Sequence, residues 1–110
     1  MAEIVFSPEA LADLKQTRTY IAEELCSEQA AINTVSKIMK RIRTLSVFPE
    51  SGAPLASVVN FANDYRFLVC GNYTAFYRYE QNRVFIVRVL YGRRDFMRIL
   101  FGENPEEEDR

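Results

Sequence analysis

Apolar and polar positions alternate with two different periods along this chain, and the change of period divides it in half. Glu3-Ile4-Val5-Phe6 is a short apolar run that reads as a first strand. Ser7-Pro8-Glu9 follows with the residue types of a helix start: a capping hydroxyl, a first-turn proline and an acid at the positive helix end. Leu11, Leu14, Ile21 and Leu25, with Ala10 and Ala22, then recur at helical spacing and predict one apolar face as far as about Leu25, with Arg18 snorkelling at its edge. Ser27 and Glu28 restart the pattern. Ala31, Val35, Ile38, Met39, Ile42 and Leu45 form a second stripe, and the short link around Cys26 predicts an antiparallel helical hairpin. Prolines and a glycine in Phe48-Pro49-Glu50-Ser51-Gly52-Ala53-Pro54 end the helix and open a loop.

From Asp64 the period becomes two. Tyr65–Val69, Tyr73–Tyr79 and Arg83–Leu90 are strand-like runs separated by Cys70-Gly71-Asn72 and Glu80-Gln81-Asn82, so they predict an antiparallel meander. The fold expected is α+β: an N-terminal strand and an antiparallel helical hairpin packed on a twisted, mainly antiparallel sheet of about four strands. A single domain over 1–101 and a mobile acidic tail over 102–110 complete the expectation. The run Val84 to Leu90 reads as a strand buried on both faces, with Arg88 its only charge. At its exit, past Gly92, Arg93, Arg94 and Arg98 crowd around Asp95 and form a positive edge.

Composition narrows the chemistry. The 110 residues are 48% hydrophobic and 26% charged, as in an ordinary globular domain. The start lacks a signal-peptide pattern and no apolar run approaches a membrane span, so a soluble, cytoplasmic protein is expected. The two cysteines, Cys26 and Cys70, are expected as buried reduced thiols. The chain has no histidine, which excludes histidine-based triads and metal sites and leaves proton transfer to carboxylate, tyrosine, lysine or arginine. No zinc-ligand pattern, phosphate-binding glycine loop or paired-carboxylate signature is present, so no metal, cofactor or small-molecule substrate is expected.

The net charge of −1 conceals a basic middle. Residues 1–30 hold six acids and two bases, residues 31–101 eleven bases and four acids, and the tail five acids and Arg110. Alternation places Arg66, Leu68 and Cys70 on one strand face, Thr74, Phe76 and Arg78 on another, and Val84, Ile86, Arg88 and Leu90 on a third. In a simple meander, Arg66, Arg78 or Arg88 would gather with Arg93 and Arg94 on the sheet face away from the helices, where guanidinium forks suit phosphate or carboxylate. Pairing with Asp64, Glu80 or Asp95 is the structural alternative. Tyr65, Tyr73, Tyr77, Tyr79 and Tyr91 fall in the same half, where packing competes with base stacking as their role.

The ordered set FSPEALADL, Tyr20, Glu28-Gln29-Ala30, FPESG, DYRFLV, Phe76-Tyr77-Arg78 and Arg88-Val89-Leu90-Tyr91-Gly92-Arg93-Arg94 resembles the RelE/ParE toxin superfamily of bacterial type II toxin–antitoxin modules over about residues 3–101. The resemblance implies a small toxin neutralised by a co-encoded antitoxin with which it forms a hetero-oligomer. It implies one of two activities. In a RelE-like, ribosome-dependent mRNA interferase, Arg66, Arg78 and Arg94 would be catalytic, but Leu68, Thr74 and Leu100 or Phe101 stand where that branch places further basic residues and its tyrosine. A ParE-like toxin would instead bind DNA gyrase, and the hairpin, the FPESG loop and the FYR and RVL strands resemble this branch more. Its expected target- or antitoxin-binding residues are Arg88, Tyr91, Arg93, Arg94, Arg98 and Phe101. A degenerate member that only binds its antitoxin is the third possibility.

Overall fold

A computed structural model describes residues 1–102. The chain runs β1 (Glu3–Phe6), α1 (Pro8–Glu24), α2 (Glu28–Arg43), β2 (Ala53–Pro54), β3 (Tyr65–Cys70), β4 (Tyr73–Glu80), β5 (Arg83–Tyr91) and α3 (Phe96–Phe101). The sheet has five strands in the order β1-β5-β4-β3-β2, with β1 parallel to β5 and the other pairs antiparallel. One more strand is present than the pattern predicts. It is β2, two residues inside the proline-rich loop, where no periodicity can register. The expected acidic tail lies outside the described residues beyond Gly102.

Both hairpin helices start as expected. Ser7 Oγ accepts the Ala10 N–H at 2.9 Å and Ser27 Oγ accepts that of Ala30 at 3.1 Å. The α2 stripe is buried as predicted: Ala31, Ile38, Ile42 and, beyond the helix, Leu45 are almost fully enclosed. The α1 face is rotated from the expected one. Leu11 and Leu25 are exposed, and Ala10, Asp13, Leu14 and Thr17 face inward. Arg18 is exposed and lies 3.5 Å from Glu28 across the hairpin.

Two cores lie on opposite faces of the sheet. The hairpin covers one, where Leu14, Ile38 and Ile42 meet Leu68, Ala75, Tyr77, Val84, Ile86 and Val89. Leu55, Phe76 and Leu90 form the other, covered by Phe96, Ile99, Leu100 and Phe101 of α3 and by the strand-preceding loop. The face expected to be open and basic is therefore aromatic and closed. Its rings interlock: Phe76 stacks on Phe96 at 5.6 Å, and Phe101 meets Phe61 and Tyr65 edge-on at 5.0 and 5.4 Å.

The register shift between Phe76 and Tyr77 explains why the alternation along β5 fails. Tyr77 pairs with Ile86 but Phe76 pairs with Arg88, so Val87 is an extra residue. A bulge of this kind reverses the facing of everything after it. Val84 and Ile86 face the hairpin before it; Val89 does so after it, and Leu90 falls on the α3 side. The expected common face of Val84, Ile86, Arg88 and Leu90 does not exist.

Near the sheet's other end, Tyr77 is fully buried and holds the FPESG loop in place. Its hydroxyl donates to the Pro49 carbonyl at 2.8 Å and accepts the Gly52 N–H at 3.0 Å. Burial pushes this phenol above its ordinary pKa. A Cβ on Gly52 would lie 2.6 Å from the Tyr77 hydroxyl and 2.7 Å from the Phe67 carbonyl. Only glycine fits there.

Candidate functional site

The strand arginines do not converge. Arg66 is opposite Tyr77 on the hairpin face, whereas Arg78 is opposite Tyr65 on the α3 face. Arg66 donates to the carbonyls of Glu50 and Gly52 at 3.1 and 2.7 Å and lies 3.4 Å from the Glu50 carboxylate, anchoring the loop that Tyr77 also holds. Arg78 grips Asp64 with Nε at 3.1 Å and Nη2 at 2.7 Å, above the Tyr65 ring. That hydrogen-bonded contact holds the Asp64 carboxyl below its usual value and raises Arg78.

Arg88 is drawn to α1. Its guanidinium makes a two-point contact with Asp13 at 2.8 and 2.7 Å, and the same carboxylate accepts the Val89 N–H at 2.9 Å. The Asp13 side chain is only 9% exposed and that of Arg88 26%. The hydrogen bond to Asp13 raises the Arg88 pKa further. This arrangement has a geometric cause. β1 pairs only with residues 83–86, and where it ends the chain turns into α1, whose first turns cover the exposed edge of β5. Ser7 Oγ donates to the Val87 carbonyl at 2.7 Å, and Asp13 then supplies the acceptor a neighbouring strand would have provided for Val89. Asp13 was not singled out in the sequence. The available signal is a carboxylate three residues after Ala10, on the side of the helix that also carries Leu14 and Thr17.

Past this point the strand exit opens. Gly92 and Asp95 take left-handed backbone, φ 58° and 53°, turning the chain into α3. Arg93 lies over the Phe67 ring at 5.9 Å and Arg98 pairs with Asp95 at 2.9 Å. Arg94 is exposed and has no carboxylate partner among the described residues. It borders a cleft of about 520 Å³ between α1, the end of β5 and α3, whose walls include Thr17, Tyr20, Tyr73, Tyr91 and Ile99. Tyr91 is 59% exposed and meets Tyr73 edge-on at 5.4 Å; Tyr20, across the cleft, is 60% exposed. Of the six residues expected to bind a target or antitoxin, Tyr91, Arg93, Arg94 and Arg98 stand at this exit. Arg88 lies beneath it, committed to Asp13, and Phe101 is packed against Phe61 and Tyr65. Among the described residues there is no group of three potential metal ligands.

The family profile described as "ParE toxin of type II toxin-antitoxin system, parDE" matches residues 4–96. The chain belongs to the ParE toxin family. The matched stretch runs from β1 to the first residue of α3, so it includes the bulge, the Asp13 contact and most of the cleft. A chain of the solved "Chromosomal ParDE TA system from P. aeruginosa" is similar in fold to this ParE-family protein. Its TM-score is 0.70 at 18% identity, over 84% of this chain and 97% of that one. YafQ from E. coli strain BL21(DE3) covers 93% of this chain and 100% of its own at 17% identity, with a TM-score of 0.45. No curated protein matches the sequence. Among the described residues, no helix is long and apolar enough to cross a membrane.

Proposed function

We propose that this ParE-family chain arrests growth by binding DNA gyrase, without catalysis of its own, and that a co-encoded antitoxin neutralises it. The observation that carries this reading is the dispersal of the arginines. An RNA-cleaving site needs cations and a proton-transfer group gathered within hydrogen-bond reach of one phosphate. Here Arg66 is spent on two loop carbonyls and Arg78 on Asp64, on opposite faces of the sheet. Leu68 and Thr74 are buried, and Leu100 and Phe101 are packed in the second core. None of the four can move a proton at the surface.

What the molecule does expose at the strand exit is Tyr91, Arg93 and Arg94, with Tyr20 nearby, and tyrosine and arginine are the residue types that anchor protein interfaces. The near-neutral total charge also suits a protein target better than ribosomal RNA, whose binding is driven by phosphate neutralisation. Expression of the chain alone in bacteria is expected to cause gyrase-linked DNA breaks while transcripts stay intact, and the purified protein to inhibit supercoiling. Codon-phased cuts in translated transcripts would replace this reading with an mRNA interferase. Normal growth on expression would leave only the antitoxin-binding role.

A further inference from the structure

We infer that the outward face of α2 binds the phosphate backbone of duplex DNA without reading its sequence. The inference goes beyond the gyrase reading and does not depend on it. It gives the chain a second surface, which takes no part in the cleft at the strand exit.

The surface is defined by unmatched charge. Between Glu28 and Glu50 the sequence holds no acidic residue and four basic ones, Lys37, Lys40, Arg41 and Arg43. All four are exposed. Helical spacing sets them on the side opposite the buried Ala31, Ile38 and Ile42. Arg41 Nε donates to the Val69 carbonyl at 3.3 Å, which holds this guanidinium at the edge of β3. None of the four has a carboxylate within ion-pair distance among the described residues, whereas Arg18, Arg66, Arg78, Arg83, Arg88 and Arg98 each have one. The helix dipole favours cations in a last turn, and Lys40, Arg41 and Arg43 stand there. It accounts neither for Lys37, a turn earlier, nor for the lack of any matching acid.

The arrangement selects the ligand. From Lys37 to Arg43 the helix rises about 9 Å, a length over which duplex DNA carries about five phosphate charges. Cations set in a row suit a line of phosphates, while a lone phosphate needs them gathered around one point. Asn33 and Thr44, exposed among them, are of the types that join lysine and arginine in contacting phosphate oxygens. A protein partner is served less well. Among the described residues α2 exposes one large apolar side chain, Ile32, and lysine is depleted where proteins meet. A membrane surface does not fit either, because the apolar stripe that would enter it is buried against the sheet. Single strands are held on aromatic platforms, and α2 contains no aromatic residue.

The total charge of −1 sets the strength. Acids elsewhere on the chain oppose a polyanion at long range, but at 0.1 M salt charges more than about 10 Å away are largely screened, and the local cations decide. The contact is weak, salt-sensitive and indifferent to sequence. It concentrates the protein on DNA, the substrate of a topoisomerase.

Fluorescence anisotropy of the full chain with a short labelled DNA duplex of scrambled sequence tests this. A dissociation constant on the order of 10 to 100 µM is expected at about 50 mM salt, with a slope of log affinity against log salt of about −3 to −4. Lys37→Gln combined with Lys40→Gln, at exposed positions and with a good helix former, is expected to weaken binding about tenfold or more and to flatten the slope by about two. Arg18→Gln, at the other end of the hairpin and already matched by Glu28, is expected to change neither. Absence of binding at about 1 mM protein would overturn the inference. An equal loss from Arg18→Gln would do the same, since the response would then be to net charge alone. Tighter binding of a single-stranded RNA of the same length would also overturn it, as would binding that appears only on deletion of residues 103–110, which would make the tail the occupant of this face. Loss of the antitoxin complex in the double variant with DNA affinity unchanged would assign the face to the antitoxin instead. Gyrase is absent from the assay, so failure here leaves the gyrase reading standing, and failure to inhibit supercoiling leaves this one.

Discussion

Asp13 does the work of a missing piece of strand, and this sets what its removal should cost. It neutralises a half-buried guanidinium and accepts a backbone N–H that no other residue reaches. Asp13→Ala would leave Arg88 uncompensated in a site largely out of water, at an expected cost of about 3 kcal/mol in urea unfolding. Arg88→Met in the Asp13→Ala background is expected to recover part of that loss, since the penalty lies in the stranded charge more than in the absent pair. Strict additivity of the two changes would show that the contact is not an energetic unit. A sequence reader could not reach this residue. A carboxylate between Ala10 and Leu14 looks like the polar margin of an amphipathic helix until it is known that β1 stops opposite Ile86, just before the bulge in β5, and leaves the Val89 N–H in need of an acceptor.

Elements were legible where periodicity runs long and blurred where one residue intervenes. The α2 stripe spans four turns and every member packs as its spacing requires. β5 is as strongly patterned, yet Val87 inverts its second half, and no local signal marks a bulge within a run of β-branched residues. The short α3 shows a different limit. The sequence marks Arg98 within it as part of a positive edge, but its apolar side closes the second core by stacking Phe96 on Phe76. Phe96→Ala is expected to loosen this cover, costing about 1 to 2 kcal/mol from lost ring packing and burial. Exchange should accelerate at the amides of Ile99 and Gly102, which bond to Asp95 and Arg98, while α2 amides keep their rates. Equal acceleration in α2 would mean that α3 and the hairpin unfold as one unit.

For the molecule as a whole, the α+β class, the hairpin and the meander followed from the sequence, whereas the closure of both sheet faces did not, because contacts between distant segments leave no periodic trace. The cysteines show the same gap on a small scale. Both were expected to be buried, but Cys26 is exposed in the link between the helices, with φ 48°, and only Cys70 is enclosed. Burial pushes the Cys70 thiol up to about 11. A thiol-specific reagent at neutral pH is therefore expected to modify one cysteine in the native protein and the second only in denaturant. Two rapid reactions in the native state would show that the Cys70 side of the core opens readily.

The pairing of β1 with β5 also bears on when the protein becomes competent during its own synthesis. Glu3 bonds to the carbonyl of Asn82, and Ser7 to that of Ile86, so the first strand made has no neighbour until nearly the last is made. At roughly 5 to 20 residues per second, that wait is on the order of 4 to 16 seconds. Until then the edge of β5 to which Ser7 and Asp13 bond does not exist, and neither does the cleft beside it. A nascent chain of this architecture therefore carries its first strand unpaired through most of its synthesis, and the edge and the cleft form together once β5 has joined it.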